Sequence, residues 1–278
     1  MKITWLGTAT VLIEMAGVRL LTDPAFDPIG TRYDFGPGFT PASWFASERT
    51  YETPMRPAEV GAIDAVLLTH DHHADNCDPT GRELLRTSQV ARVVTVPAAA
   101  ARLSRAASVA GQPGQGLGIG DKTTALAWGA STTVGGVRIT ATPARHGPRG
   151  TPQIHEVAGF LLEADGAPTV WISGDTVLFP ALREVLETLK GRVDVAIVHC
   201  GGVSFPKVPL IGRSLFTFDA AQVVEVCRIL EPRTLIPVHR SGWAHFREPE
   251  DALRETLLRE WSAERTRWLE LGETYATT

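Results

Sequence analysis

Short apolar runs alternate with helix-spaced polar stretches along most of this chain. Met1–Trp5 opens directly into a strand pattern. Thr8–Glu14 and Val18–Thr22 then read as two strands of a hairpin turning at Ala16-Gly17, and Asp23-Pro24 stops the second. Asp64–Leu68 is a short apolar run of the kind that makes a buried strand. Asp78 and Pro79 supply an N-cap and first position for a helix over 79–88. Val90–Val96 predicts a strand, the Ala/Arg-rich Pro97–Ala110 a helix, and 123–144 strands turning at Gly135-Gly136. Val157–Glu163 and Thr169–Ser173 predict a second hairpin around Asp165-Gly166. Helix 180–189, strand 193–198, a helix capped by Asp219 and running to Leu230, and strand 234–238 follow. The pattern closes with an amphipathic helix over 248–265 and a short strand around Trp268–Leu271.

Two successive stretches of alternating strands and helices, each opened by strand-rich sequence, favour an α/β sandwich with sheets inside and helices outside. No linker divides the chain, so residues 1–278 are expected to form one domain. Two stretches, 24–60 and 203–218, break the periodicity with prolines, glycines and interleaved aromatics. So many aromatics argue against disorder. These loops read as walls or lids over a pocket, as simple cover for the core, or as a surface for a second copy of the chain. The glycine-rich 111–120 loop has no Gly-Lys-Ser/Thr after it and is not a phosphate-binding loop.

Composition narrows the function. With 44% hydrophobic and 21% charged residues and a net charge of −4, nothing suggests a basic face for nucleic acid or an anionic membrane. A small-molecule substrate is expected instead. No apolar run approaches the roughly 20 residues of a membrane span. The opening sequence has no signal-peptide pattern, and the three cysteines have no CxxC spacing, so a reducing cytoplasm is the expected setting. Cys77 and Cys200 are expected to be buried small residues rather than ligands.

The chemistry gathers at strand ends. The 65–68 run leads into Thr69-His70-Asp71-His72-His73-Ala74-Asp75-Asn76-Cys77-Asp78. Four more predicted strands end in or just before His146, Asp175, His199 and His239. Open α/β folds place ligands at such carboxyl ends. Of eight histidines, all but His155 lie in or just beyond these segments. Imidazoles and carboxylates gathered together are costly to bury without a cation, and this donor set suits Zn²⁺, with Mn²⁺ or Fe²⁺ as alternatives. One or two divalent ions would make a hydrolase, in which a metal-bound water loses its proton near neutral pH. Asp175 is the candidate to bridge two ions, and Asp75 to bind the second or shuttle a proton. His245, beside Trp243 and Phe246, is a candidate for substrate binding or proton transfer, or a surface imidazole. Arg145 and Arg240 flank two presumed ligands and could bind an anionic leaving group or pair with surface carboxylates.

Trp5–Thr10, Leu21-Thr22-Asp23-Pro24, Thr69–His73, His146, Ser173-Gly174-Asp175-Thr176 and His239 occur in the order of the metallo-β-lactamase superfamily, which this chain resembles over nearly its whole length. It is most similar to the branch holding the ascorbate-6-phosphate lactonases and N-acyl-phosphatidylethanolamine phospholipase D enzymes. The resemblance implies an αββα sandwich with metals at one edge of two mixed sheets. It implies His70, His146 and one of His72 and His73 on the first ion. Asp75, Asp175 and His239 would hold the second, with Asp175 shared. The substrate would carry an ester, lactone or phosphodiester bond and be a small or lipid-like molecule.

The chain departs from the family's His-x-His-x-Asp-His pattern. It has one extra residue, and Asn76 stands where the last histidine belongs. A gap after His72 pairs it with His70, the preferred placement, whereas an earlier gap makes His73 the ligand. Asn76 weakens the second site, and on that ground a non-catalytic metal-binding or ligand-sensing protein is the alternative. Thr8 replaces the histidine that often follows the opening glycine.

Overall fold

Alternation along the strands decides which side chains meet. In the computed structural model, which describes residues 1–36, 41–107, 112–148, 153, 155–209 and 211–277, the strands in chain order are β1 (Lys2–Gly7), β2 (Thr10–Met15), β3 (Val18–Thr22), β4 (Arg32–Asp34), β5 (Ala46–Glu48), β6 (Ala65–Leu68), β7 (Val93–Thr95), β8 (Thr123–Ala125), β9 (Ser131–Val134), β10 (Val137–Pro143), β11 (Ala158–Glu163), β12 (Val170–Ile172), β13 (Val195–His199), β14 (Thr234–Val238) and β15 (Thr274–Ala276). One sheet runs β15-β1-β2-β3-β6-β7-β8 and the other β14-β13-β12-β11-β10-β9. Both are mixed, with β3, β6, β7 and β8 parallel in the first and β12, β13 and β14 parallel in the second.

Leu20 and Leu67 from the first sheet and Ile139, Phe160, Leu162, Ile172, Ile197 and Ile236 from the second share one buried cluster between the sheets. Their neighbours face outward. Leu21, Val66 and Leu68 pack with Leu84, Leu85 and Leu103, which are carried by α2 (Pro79–Arg86) and α3 (Pro97–Leu103) once α1 (Ala42–Phe45) has passed. Leu161, Trp171 and Val198 pack under α4 (Pro180–Thr188), α5 (Ala220–Leu230) and α6 (Glu250–Leu257). Four layers follow, α-β-β-α, as expected. No helix among the described residues is long and apolar enough to cross a membrane.

Local signals acted as anticipated at several boundaries. Asp78 accepts the Gly81 N–H at 2.7 Å and Asp219 the Gln222 N–H at 2.9 Å, so both cap their helices. The first hairpin turns on Ala16 and Gly17, both at positive φ.

Four expectations need correction. The terminal strand is Thr274–Ala276 rather than 268–271. Trp268 is occupied under the Arg240 guanidinium, 4.1 Å from its ring centre, and Gly272 at φ +83° turns the chain back onto β1. The last helix leaves α geometry at Leu258 for a π turn over Leu258–Ser262. The 24–60 stretch is not irregular throughout, because β4 and β5 pair antiparallel within it. The predicted 97–110 helix ends at Leu103, and its residues 108–110 lie outside the described residues.

Candidate metal centre

Five strands deliver the site from their carboxyl ends: β6 before His70, β10 before His146, β12 before Asp175, β13 ending on His199, and β14 before His239. His70, Asp75, Asp175, His199, His239 and His245 are all buried. The segment after β6 turns tightly, with the Cys77 N–H on the His73 carbonyl at 2.9 Å, and so brings Asp75 back towards His239. His239 sits at φ +53°, held there by its N–H on the Thr8 carbonyl at 2.7 Å. Thr8 thus contributes its backbone carbonyl to the positioning of His239.

Two clusters form. In the first, His73 Nδ1 lies 3.3 Å from His70 Nε2 and 3.0 Å from His146 Nε2. Nitrogens around a tetrahedral Zn²⁺ at ~2.05 Å are separated by roughly 3.3 Å, so both separations suit neighbouring ligands of one ion. The outer nitrogens are held: His70 Nδ1 on Thr69 Oγ1 at 2.9 Å and His146 Nδ1 on the Phe216 carbonyl at 2.9 Å. His72 also lies in range of His70 and His73, but its ring stacks on His155 at 3.8 Å.

In the second cluster Asp75, Asp175 and His239 bring ligand atoms within 4.8 Å of one another. His239 Nε2 is 3.3 Å from Asp75 Oδ2 and 3.4 Å from Asp175 Oδ2. His239 Nδ1 is held by the Cys200 carbonyl at 3.3 Å. Asp175 faces both clusters: its Oδ2 lies 3.9 Å from His70 Nε2, while its Oδ1 meets His199 Nδ1 at 2.9 Å. His199 therefore braces Asp175. His245 Nε2 reaches Asp75 Oδ2 at 3.2 Å. Asn76 directs its amide nitrogen to Asp23 Oδ2 at 3.3 Å.

Burial keeps His70, His72 and His73 neutral and able to ligate. It drives His70 down to about 3, and with the neighbouring imidazoles it lowers His72 and His73 well below the usual range. Burial alone would raise Asp175 and Asp75. Against it, His239 and His199 hold Asp175 low, and His239 and His245 do the same for Asp75. His239 moves the other way, to about 9, because Asp175 and Asp75 outweigh its own burial.

Several buried polar atoms of the described residues lack a hydrogen-bond partner, and one group of them, which includes Asn76 Oδ1 and His199 Nε2, lies at the strand ends. Asp75 Oδ1, Asp175 Oδ2, His239 Nε2 and both His72 ring nitrogens are buried without a hydrogen-bond partner. Buried polar atoms are ordinarily paired. The ligand atoms of Asp75, Asp175 and His239 lie within 4.8 Å of one another, and orphaned carboxylate oxygens and imidazole nitrogens so grouped are what a divalent cation would satisfy, so the donor set fits the group the fold implies.

The remaining candidates fall outside the two clusters. Arg240 is no anion receptor: it lies between the Trp5 and Trp268 rings at 4.1 Å each and pairs with Glu250. Arg145 donates to the Pro148 carbonyl. All three cysteines are buried and free. His155 is exposed, although its face covers His72. Asp71 is engaged by Arg102 through both carboxylate oxygens. Sequence reasoning gave no role to Thr69, to Asp23 beneath it, or to Ser47 beside His245. Asp23 and Thr69 left a trace in the sequence as members of motifs, and Ser47 left none. The loop aromatics do reach the site: Phe35 lies 5.6 Å from the His73 ring and 4.6 Å from His245, and Phe205 stacks on His245 at 5.6 Å.

A four-layer sandwich with imidazoles and carboxylates at one edge defines a class of metal-binding folds, and the comparisons are specific. Residues 18–240 match the β-lactamase superfamily domain, and the chain belongs to that family. It is 28% identical over 265 residues to a metal-dependent hydrolase of Methanosphaerula palustris, covering 93% of this chain and 92% of the relative. A metal-dependent hydrolase of Pyrobaculum calidifontis is 26% identical, covering 90% and 89%. Among solved structures, an isothiocyanate hydrolase from Delia radicum gut bacteria superposes with a TM-score of 0.78 at 20% identity, covering 100% and 99%. A metallo hydrolase from Ignicoccus hospitalis superposes at 0.66 and 19%, also covering 100% and 99%.

Proposed function

We propose that this chain is a metal-dependent hydrolase that holds two divalent ions, most readily Zn²⁺, and cleaves an ester, lactone or phosphodiester bond of a small molecule. The observation that carries this reading is the set of orphaned buried atoms at the strand ends, Asp75 Oδ1, Asp175 Oδ2 and His239 Nε2. His70, His73 and His146 hold the first ion, favoured by the 3.0–3.3 Å spacing of their nitrogens. That choice puts the extra residue before His73. His73-Ala74-Asp75 then keeps the family's His-x-Asp spacing, and His72 is left beside His155. Asp75, Asp175 and His239 hold the second ion, with Asp175 shared.

Bound ions supply Lewis-acid polarisation and a water of lowered pKa. The protein's own part is to position and to exclude water. Thr69, Phe216 and Cys200 fix the ring orientations of His70, His146 and His239 through their outer nitrogens. His199 holds one oxygen of Asp175, leaving the other directed inward. The 24–60 and 203–218 loops join through Phe45, Phe205 and Val208 and wall one side of the centre. On the other side, a cleft of about 690 Å³ lined by Val96, Leu126, Trp128, Arg102 and His155 begins where His155 covers His72. That size suits a small ligand with an apolar part. The opening, Asp23-Pro24 and Gly174-Asp175-Thr176 motifs favour the lactonase and phospholipase D-like branch.

The test is a panel of ester, lactone and phosphodiester substrates assayed with and without chelator. Turnover that disappears with chelator and returns with Zn²⁺ or Mn²⁺ is expected. Turnover unaffected by complete metal removal would contradict the reading.

A further inference from the structure

Position 76 holds an amide where the family's pattern has an imidazole, and a second imidazole arrives from elsewhere. His245 lies six residues past His239, on the loop that follows β14, and is 1% exposed. Its Nε2 is 3.2 Å from Asp75 Oδ2, the oxygen that His239 Nε2 meets at 3.3 Å. Its Nδ1 is 2.6 Å from Ser47 Oγ. This repeats the arrangement of His70, His146 and His239, each with Nδ1 on a protein oxygen and Nε2 facing the carboxylates or imidazoles of the centre. Ligating histidines characteristically use the second nitrogen in this way, which fixes ring and tautomer.

The ring is also fixed from its faces. Phe35 and Phe205 pack against it, and Ser47 Oγ accepts the His245 main-chain N–H at 3.1 Å. The loop itself is strapped to β5 and the residues after it. Ala244 N–H donates to the Glu48 carbonyl at 3.0 Å, and Thr50 N–H to the Gly242 carbonyl at 2.9 Å. Asn76 meanwhile directs its amide nitrogen to Asp23.

We propose that His245 is a ligand of the second metal ion and supplies the imidazole that position 76 lacks. This rests on the two-ion reading above. The second ion then has Asp75, Asp175, His239 and His245 as its donors. The β4–β5 hairpin gains a purpose, since it carries the serine that orients the replacement ligand.

The experiment is Co²⁺ titration of the full metal-free chain, followed by visible absorption and by elemental analysis after gel filtration. The wild type, His245→Ala, Asn76→Ala and Ser47→Ala are compared. The wild type and Asn76→Ala are expected to bind two ions. His245→Ala should keep the first and bind the second at least about 100-fold more weakly, beyond the 10–100-fold that loss of an outer partner costs. Ser47→Ala should fall within that smaller range. Retention of the first ion shows that His245→Ala is folded. Should that variant hold no metal, ¹⁵N-histidine NMR of the wild type decides. A His245 Nε2 resonance that shifts on the second equivalent of Zn²⁺ supports the proposal, and one that stays overturns it. Two ions in His245→Ala with affinities within about threefold of wild type would also overturn it, as would loss of the second ion in Asn76→Ala alone. A wild type holding one ion or none would sink the two-ion reading itself, and this proposal with it.

Discussion

Replacing Thr69 by Val removes one hydroxyl from beneath the first metal cluster and changes little else in volume. Thr69 is fully buried, and its Oγ1 lies 2.9 and 3.1 Å from the two Asp23 oxygens and 2.9 Å from His70 Nδ1. With His70 Nε2 directed at the centre, Nδ1 carries the proton and donates to Thr69, whose own hydroxyl donates to Asp23. Asp23 keeps the Thr69 N–H at 2.8 Å and Asn76, so its loss is partial. His70 Nδ1 loses its partner outright. One buried unsatisfied donor costs about 1–3 kcal/mol, so Thr69→Val should lose about 2 kcal/mol. In a chain of this size that lowers Tm by roughly 4–8 °C. Removing an orienting partner should also weaken the first ion by about 10–100-fold. Differential scanning calorimetry and chelator competition measure the two effects, and Thr69→Ser should recover both. A Thr69→Val chain with Tm within about 1 °C of wild type and unchanged metal affinity would refute the claim that Thr69 orients His70.

Three further predictions use different regions. His73→Ala should abolish tight binding of the first ion, whereas His72→Ala should leave the stoichiometry at two; elemental analysis of both variants checks this, and the opposite pattern would restore the His70–His72 pairing. Gly81→Ala should destabilise the chain by at least about 3 kcal/mol in urea unfolding, because a Cβ there would lie 1.8 Å from the Pro24 carbonyl oxygen; an unchanged midpoint would show that α2 can shift away from the Asp23-Pro24 turn. Glu248 is half-buried, and burial, opposed by the Ala220 N–H and reinforced by Asp219, pushes its carboxyl from 4.5 up to about 7. The folded chain then holds this proton more tightly than the unfolded chain, so the group's contribution is most favourable below pH 4.5 and declines as pH rises to 7. Glu248→Gln lacks that decline, so its Tm relative to wild type should climb across this window and level off above it; a constant difference would contradict the argument.

The sandwich was legible because the strands signal their two faces and two of the helices start at a capping aspartate. Leu20 and Leu21 in adjacent positions fit a strand buried on both sides, and they do pack into opposite clusters. Asp78-Pro79 and Asp219 marked helix starts through chemistry confined to a few residues. The proposed ligands were legible for a related reason: His70, His146, Asp175 and His239 each lie within three residues of the carboxyl end of a strand. What was hidden depends on contacts between distant segments. The choice between His72 and His73 turns on where His146 arrives from β10, 73 residues along the chain. Ser47 meets His245 across 198 residues, with no local motif to announce it. Arg240 looked available beside a ligand, yet two tryptophans from opposite ends of the chain enclose it. The terminal strand was misplaced because Trp268 and Leu269 are apolar for packing against Arg240 and the core rather than for pairing in a sheet.

The central claim is that the orphaned atoms at the strand ends bind two ions that share Asp175. Elemental analysis of the purified full chain beside Asp175→Ala, after equilibration with Zn²⁺, tests it most directly. The account predicts about two ions per wild-type chain and one or fewer in the variant. A wild-type chain that takes up no Zn²⁺, Mn²⁺ or Fe²⁺, or an Asp175→Ala chain that still holds two ions, would contradict it.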